Sequence, residues 1–482
     1  MRRNLYALRF ITKHPSRRTA LTMIVLALLF LVGIAPARAD TTDDLMAMRM
    51  RERHIPGLAL AVVDKGKVVK ARGYGLASVE FGVPVTPDTV FEIGSVTKQI
   101  TAAAVMLLVE DGNLALDDSI TKHLTGLPAS WRAITVRHLL THTSGVKNYT
   151  GLPGFELSKR MKRADFIKMV ANLPPNFAPG DSWSYGNTAY NLLGHIIEVV
   201  SGGSYWQFVD ARIFRPLGMM ASGDRDPKRI IPQRASGYEW ETDALVGRDY
   251  DLTDVFSAGA VVSTLNDLIK WDTALSSDRL LKQSSLDALW TPVRLNDGAT
   301  RTYGLGWNIE TLRGHRVHRH NGQTAGFAAA IARYVDDGVS VIVLSNIGDI
   351  GLAGDIARGV AKIYIPALSL RQLKASPDSD APTTEKHEAL LCARLLGRAL
   401  DASLLTPAMR SLLDTQVAKR LSQRLASYGA LRSFAFVEND NVNGERARRY
   451  KAVFDRRTIL WKFTTSEDGK VAGMVLEEEE DR

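Results

Sequence analysis

The amino-acid sequence predicts a mixed α/β fold of the α+β kind. An antiparallel sheet is built from both chain ends and flanked by helices, a helical region is inserted between the two ends, and a small α+β module follows. Three observations predict it. Near the start, Gly57–Val63 and Lys67–Ala71 are apolar-rich runs joined by Asp64-Lys65-Gly66, a hairpin signal. A second strand-rich region comprises Val317–Asn321, Gly326–Tyr334 and Ser340–Ser345, with Asp336-Asp337-Gly338 as its turn. Between the two, Lys98–Glu110, Ile134–Leu140, Ala189–Val200 and Leu265–Ala274 place apolar residues at three- and four-residue intervals, the period of a helix with one buried face.

The predicted domain order is residues 1–39 as a signal peptide, 40–366 as the main domain, 367–384 as a linker and 385–482 as the small module. The amino terminus is basic through Arg17-Arg18 and apolar over Ala20–Ala35, and ends in Pro36-Ala37-Arg38-Ala39. This is the three-part pattern of an export signal, with cleavage expected before Asp40 and a secreted, periplasmic product. The 16-residue apolar run is shorter than the roughly 20 residues that span a bilayer; if retained, it would serve as a membrane tether. The polar stretch Ala375–Thr384 marks the linker. Helical patterning then covers Glu385–Tyr428, short strands follow at Ser433–Val437, Arg449–Phe454 and Ile459–Phe463, and an acidic tail, Glu477–Asp481, ends the chain. The partner of this module is unknown.

Charge excludes one class of function. The 482 residues carry a formal +9, but six Arg and Lys13 with no acid place +7 of it within residues 1–39. The near-neutral remainder has no general attraction for phosphate, so no nucleic acid is expected. The single cysteine, Cys392, excludes an intramolecular disulfide and is expected to be a buried apolar residue.

Three motifs carry chemistry. In Ser95-Val96-Thr97-Lys98, opening a helix, serine and lysine stand three residues apart and share a helix face. A serine hydroxyl needs a base within hydrogen-bond reach, and a lysine can serve once a dry pocket suppresses its charge. Tyr185-Gly186-Asn187 precedes another helix; a phenol can relay protons and an amide can hold a carbonyl or the lysine. His320-Asn321-Gly322 lies on a strand and is followed by Gln323. Glycine there lets substrate lie close to the backbone, and the Gln323 N–H can complete an oxyanion hole.

These motifs, in this order, resemble those of the serine β-lactamase and penicillin-binding protein superfamily, in its class C β-lactamase-like branch of esterases and D-peptidases. Arg137–Gly145, Ala258–Thr264 and Tyr303–Trp307 are further matches, so the resemblance spans about residues 45–350. It implies a hydrolase without cofactor or metal that acts on a small-molecule or peptide substrate. Ser95 would be the nucleophile, and Lys98 and Tyr185 would share general base and acid work. Asn187 would contact substrate, His320 would occupy the third-motif position, and the Ser95 and Gln323 N–H groups beside Gly322 would bind the oxyanion. The third motif departs from the family's K-T-G: a largely neutral histidine stands where a fixed positive charge would bind a substrate carboxylate. Hydrolysis of an ester, amide or D-peptide bond is therefore expected; the alternative is a β-lactamase or penicillin-binding protein of little turnover acting as a sensor. His138 and His142 have the spacing of a zinc helix, but Leu139 replaces the glutamate that such chemistry needs.

Overall fold

The computed structural model describes residues 41–153, 161–349, 351–413, 415–442 and 445–481; the export signal read at 1–39 lies outside them. The chain divides into two compact units, 1–48 and 49–482. The first described helix is α1 (Thr41–Glu52). Among the described residues no helix is long and apolar enough to cross a membrane.

The main sheet has seven antiparallel strands. Chain-start strands β1 (Gly57–Asp64), β2 (Lys67–Ser78) and β3 (Val83–Pro84) are joined across the sheet by β7 (Asn308–Leu312), β8 (His315–Thr324), β9 (Phe327–Tyr334) and β10 (Val339–Ser345). The order is β7-β8-β9-β10-β1-β2-β3, and β1 meets β10 in the register Leu58↔Ser345 to Asp64↔Val339. The two chain ends therefore close one sheet at its centre. Every residue of β9 and β10 is buried, so these strands read as apolar runs covered on both faces, broken only by Ser340, Ser345 and the buried Arg333. Strand β2 runs seven residues past its expected end. As a largely exposed strand near the sheet's edge it carries Lys70 and Arg72, and its polarity hid its length.

Between the chain-end strands lie β4 (Phe91–Glu92), α2 (Thr97–Glu110), α3 (Val136–Leu140), α4 (Asn187–Ser201), α5 (Phe256–Gly259), β5 (Val261–Ser263), α6 (Leu265–Ala274) and β6 (Val293–Arg294). Helix α2 is buried from Thr97 through Leu108, which explains the unbroken apolar run from Ala102 to Val109. Helix α6 packs against β10 and β1, and α7 (Leu352–Tyr364) packs against β9 and β10.

The carboxyl module has helices α8 (Ala381–Leu395), α9 (Pro407–Leu413) and α10 (Gln416–Ala426), followed by a four-stranded antiparallel sheet. Its strands in order are β11 (Leu431–Val442), β12 (Glu445–Phe454), β13 (Arg457–Thr465) and β14 (Val471–Asp481). Leu391, Tyr450, Phe454, Ile459, Trp461 and Phe463 fill a core of its own. Three expectations need correction. Glu477–Asp481 is not a tail but the end of β14. Strand alternation sends Glu477 to Arg449 and Lys462 within the module, and Glu478 to Arg313 and Lys362 of the main domain. The segment expected as a linker is docked, since Leu370 is fully buried against Val437 and Leu460 and α8 already begins at Ala381. Cys392 is half-buried rather than buried, because Leu390 and Leu391 take the core positions of α8.

Candidate active site

Ser95 sits in a single 3-10 turn, Gly94–Val96, that runs directly into α2. Gly94 has φ +50°, and a Cβ there would lie 2.5 Å from the Gln323 nitrogen. Across from it, a Cβ on Gly322 would fall 1.9 Å from the Ile93 carbonyl oxygen and 3.0 Å from the Ser95 nitrogen. Two glycines therefore let the Ser95 turn and strand β8 touch backbone to backbone, which brings the Ser95 and Gln323 N–H groups close together. Ser95 is half-buried and Gln323 exposed, so the place between them is open to a substrate. The helix dipole adds partial positive charge there. Glu92 braces the arrangement: its carboxylate accepts from Thr324 Oγ1 at 2.7 Å on β8 and from Arg225 Nε at 2.9 Å.

Lys98 follows one turn later with no exposed surface. Its Nζ lies 3.0 Å from Ser95 Oγ, 2.9 Å from Asn187 Oδ1 and 2.8 Å from the Ala258 carbonyl oxygen. None of these partners carries a charge. Burial therefore holds the Lys98 ammonium well below the ordinary lysine value and favours the neutral amine. Asn187 Oδ1 and the Ala258 oxygen accept two N–H bonds, which leaves the amine's lone pair to face the Ser95 hydroxyl.

Tyr185 precedes α4. Its ring keeps 37% exposure while its hydroxyl, hydrogen-bonded with Ser95, is enclosed, and burial pushes its ionisation up. The phenol keeps its proton at neutral pH. Asn187, the first residue of α4, is held by Asn148 Oδ1, which accepts from the Asn187 N–H at 2.9 Å, and by Thr150 Oγ1, which accepts from its Nδ2 at 3.2 Å.

His320 lies on β8 beside this group and is only 3% exposed. Its Nδ1–H donates to the Asn321 carbonyl at 2.7 Å, and its Nε2 accepts from the Tyr303 hydroxyl at 3.0 Å. Both ring nitrogens are thus engaged within the protein. Burial, followed by the neighbouring Lys98, lowers its pKa to about 3. The structure brings Ser95, Lys98, Tyr185, Asn187, Gly322 and Gln323 together. His320 lies beside them, its ring centroid 6.2 Å from that of Tyr185, with no free nitrogen turned to a substrate.

The zinc reading of His138 and His142 loses its geometry. Helix α3 ends at Leu140, and His142 has left it with φ +61°. His138 Nδ1 instead caps α3 by accepting from the Thr135 N–H at 3.2 Å. Among the described residues, no cluster of three or more His, Cys, Asp or Glu is placed to hold a metal ion. Sequence reasoning missed Asn148, Thr150, Glu92 and the role of Tyr303. Tyr303 lay within a recognised motif, whereas an asparagine in a loop and a glutamate on a two-residue strand give no signal of their own.

The chain is similar to known proteins. A protein-family model described as Beta-lactamase matches residues 42–363, about two thirds of the chain. Penicillin-binding protein 4* of Bacillus subtilis is 32% identical over 314 residues, covering 61% of this chain and 69% of that protein. Among solved structures, the D-amino acid amidase of Ochrobactrum anthropi SV3 is 25% identical with a TM-score of 0.59, covering 69% of this chain and all of its own. A D-stereospecific amidohydrolase from Streptomyces sp. is 27% identical with a TM-score of 0.56, covering 67% of this chain and 98% of that one. An octameric penicillin-binding protein homologue from Pyrococcus abyssi, 23% identical with a TM-score of 0.58, shares the fold over 91% of this chain and 98% of its own. The chain belongs to the Beta-lactamase family, within the serine β-lactamase and penicillin-binding protein superfamily, and is a serine hydrolase of that fold.

Proposed function

We propose that the protein hydrolyses an amide, D-peptide or ester bond through an acyl-enzyme on Ser95. The observation that carries this reading is a lysine buried without a counterion, its nitrogen 3.0 Å from the serine oxygen. Ser95 Oγ adds to the substrate carbonyl while Lys98 takes the hydroxyl proton, and the oxyanion rests on the Ser95 and Gln323 N–H groups. Tyr185, which holds its proton at neutral pH, passes a proton to the leaving amine or alkoxide as the bond breaks. Lys98 then returns its proton to Tyr185, which restores both groups; water attacks the acyl ester and gives a proton to Lys98, and Ser95 departs with that proton as the free hydroxyl. Asn187 fixes Lys98 and offers its amide to the substrate. His320 acts from behind, as a neutral prop of Tyr303.

A neutral, fully engaged His320 offers no charge for a substrate carboxylate, which supports uncharged amides and esters over penicillins. The D-amino acid amidase and D-stereospecific amidohydrolase among the structural relatives favour a D-configured acyl group. The penicillin-binding names of other relatives favour a second reading, a β-lactam binder of little turnover. Residues 40–482 assayed against D-amino acid amides, D-alanyl peptides, p-nitrophenyl esters and nitrocefin distinguish the two. Steady turnover of amides or esters is expected, and stable acylation by penicillin with no turnover of any substrate would contradict it. We also infer export with cleavage before Asp40; amino-terminal sequencing that returns an intact 20–35 run would overturn that inference.

A further inference from the structure

His142 takes no part in the steps above, yet it is bound to the loop that carries Tyr185 on both sides of the tyrosine. Its carbonyl accepts from the Ser184 N–H at 3.0 Å, and its ring Nδ1 accepts from the Gly186 N–H at 3.4 Å. Its ring centroid is 4.5 Å from that of Tyr185. The next residue continues the attachment, since the Thr143 carbonyl accepts from the Gly180 N–H at 2.8 Å. His142 is 1% exposed and enclosed by Tyr185, Tyr190, Tyr303 and Trp183.

The backbone makes the double attachment possible. At φ +61° His142 has left the helical path of α3, in a region where histidine, asparagine and glycine are the tolerated residues. Because Nδ1 accepts a backbone N–H, the ring must be neutral with its proton on Nε2. An imidazolium would set two donors against each other at Gly186. Among the described residues Nε2 meets no hydrogen-bond partner, so the hydrogen bond this buried ring makes with them is the one to the tyrosine's loop.

We propose that His142 is a positioning residue for Tyr185: its backbone carbonyl and its ring nitrogen clamp the Ser184–Gly186 backbone and thereby hold the phenol against Ser95. This rests on the reading of Tyr185 as the proton relay, and the test separates the two. The rate of Ser95 labelling by a fluorophosphonate is measured on the full mature chain, per folded molecule, with melting temperature recorded for each variant. A 1 Å misplacement of a catalytic group costs on the order of a hundredfold. His142→Gly, which accepts the left-handed backbone but has no acceptor, is expected to label about tenfold to a hundredfold more slowly. His142→Asn keeps both the backbone preference and an acceptor near the place of Nδ1, and is expected within about threefold of wild type. In a Tyr185→Phe background, itself slowed about a hundredfold, His142→Gly is expected to remove nothing further. An undiminished His142→Gly rate, an equal loss in the Asn and Gly variants, or an additive loss on top of Tyr185→Phe would each overturn the inference. If the glycine variant does not fold, the asparagine variant decides alone, a tenfold loss counting against the proposal. An unchanged rate in Tyr185→Phe would remove the reading beneath it.

Discussion

Arg333 and Lys98 are both buried cationic side chains of the main domain, and the fold treats them in opposite ways. Arg333 on β9 stands opposite His318 in register and so shares its face of the sheet with His320. Its guanidinium donates to Asp272 Oδ1 at 2.8 Å and to Ser276 Oγ at 2.6 Å, both from the α6 region, and lies over the Trp290 ring at 5.3 Å. A carboxylate as buried as the arginine neutralises it, and the pair joins helix to sheet. Among the described residues, Lys98 Nζ meets a hydroxyl, an amide oxygen, a backbone carbonyl and the rings of Tyr185 and Tyr190 at 4.8 and 5.5 Å, none of them charged. With no anion to hold its charge, burial lowers the lysine's pKa well below its ordinary value and favours the neutral amine. A buried cation with a counterion braces the fold, and the one without is the proposed base.

The largest test of this contrast removes the groups at the serine. Ser95→Ala is expected to abolish turnover and labelling. Lys98→Met, which keeps the volume and loses the amine, is expected to slow Ser95 labelling about a thousandfold or more while the protein stays folded. Lys98→Met labelling at the wild-type rate would make the lysine a packing residue.

Asp272→Asn asks the opposite of the other cation. It leaves Arg333 buried without a counterion, so a loss of about 3–5 kcal/mol in unfolding free energy is expected, read by chemical denaturation. The rate per folded molecule should stay within about threefold. A large rate loss at unchanged stability would mean that the two cations do not divide the work in this way.

Much of this arrangement was legible in the sequence, and the physical reason differs by element. Helix α6 was readable residue for residue, because its apolar period is regular and Thr264 caps it through a bond to the Asp267 N–H. The Ser95 turn was readable because a lysine three residues after a serine shares its helix face, whereas the demand on Gly94, whose φ of +50° lets the turn meet β8, shows only in the structure. The state of His320 was half legible. Its neutrality follows from its residue type, but Tyr303 as the partner that occupies it is a contact between β8 and a loop, invisible to any local pattern. The acidic end was misread for a similar reason. Alternate glutamates look solvated until strands bearing Arg449 and Lys462, and the main domain's Arg313 and Lys362, are brought alongside.

The smallest expected effect lies at that acidic strand. Arg313 lies at the turn before β8, and the site residues lie near the strand's other end, roughly 25 Å away at about 3.3 Å per residue. Glu478→Lys is expected to loosen the module, seen as faster proteolysis near residues 375–384, and to change Ser95 labelling by less than about threefold. A larger change would place the module within the catalytic account.

The pH dependence of Ser95 labelling by a fluorophosphonate, between about pH 5 and 10, tests the neutral lysine most directly. Labelling needs Lys98 unprotonated, so the rate falls as pH falls through the lysine's depressed pKa and is level above it. His320, with a pKa of about 3, stays neutral throughout and adds no second limb. A plateau already reached near neutral pH, with its lower limb lost in Lys98→Met, is the predicted result. A rate that climbs steadily to pH 10, as an ordinary lysine would give, would contradict the account.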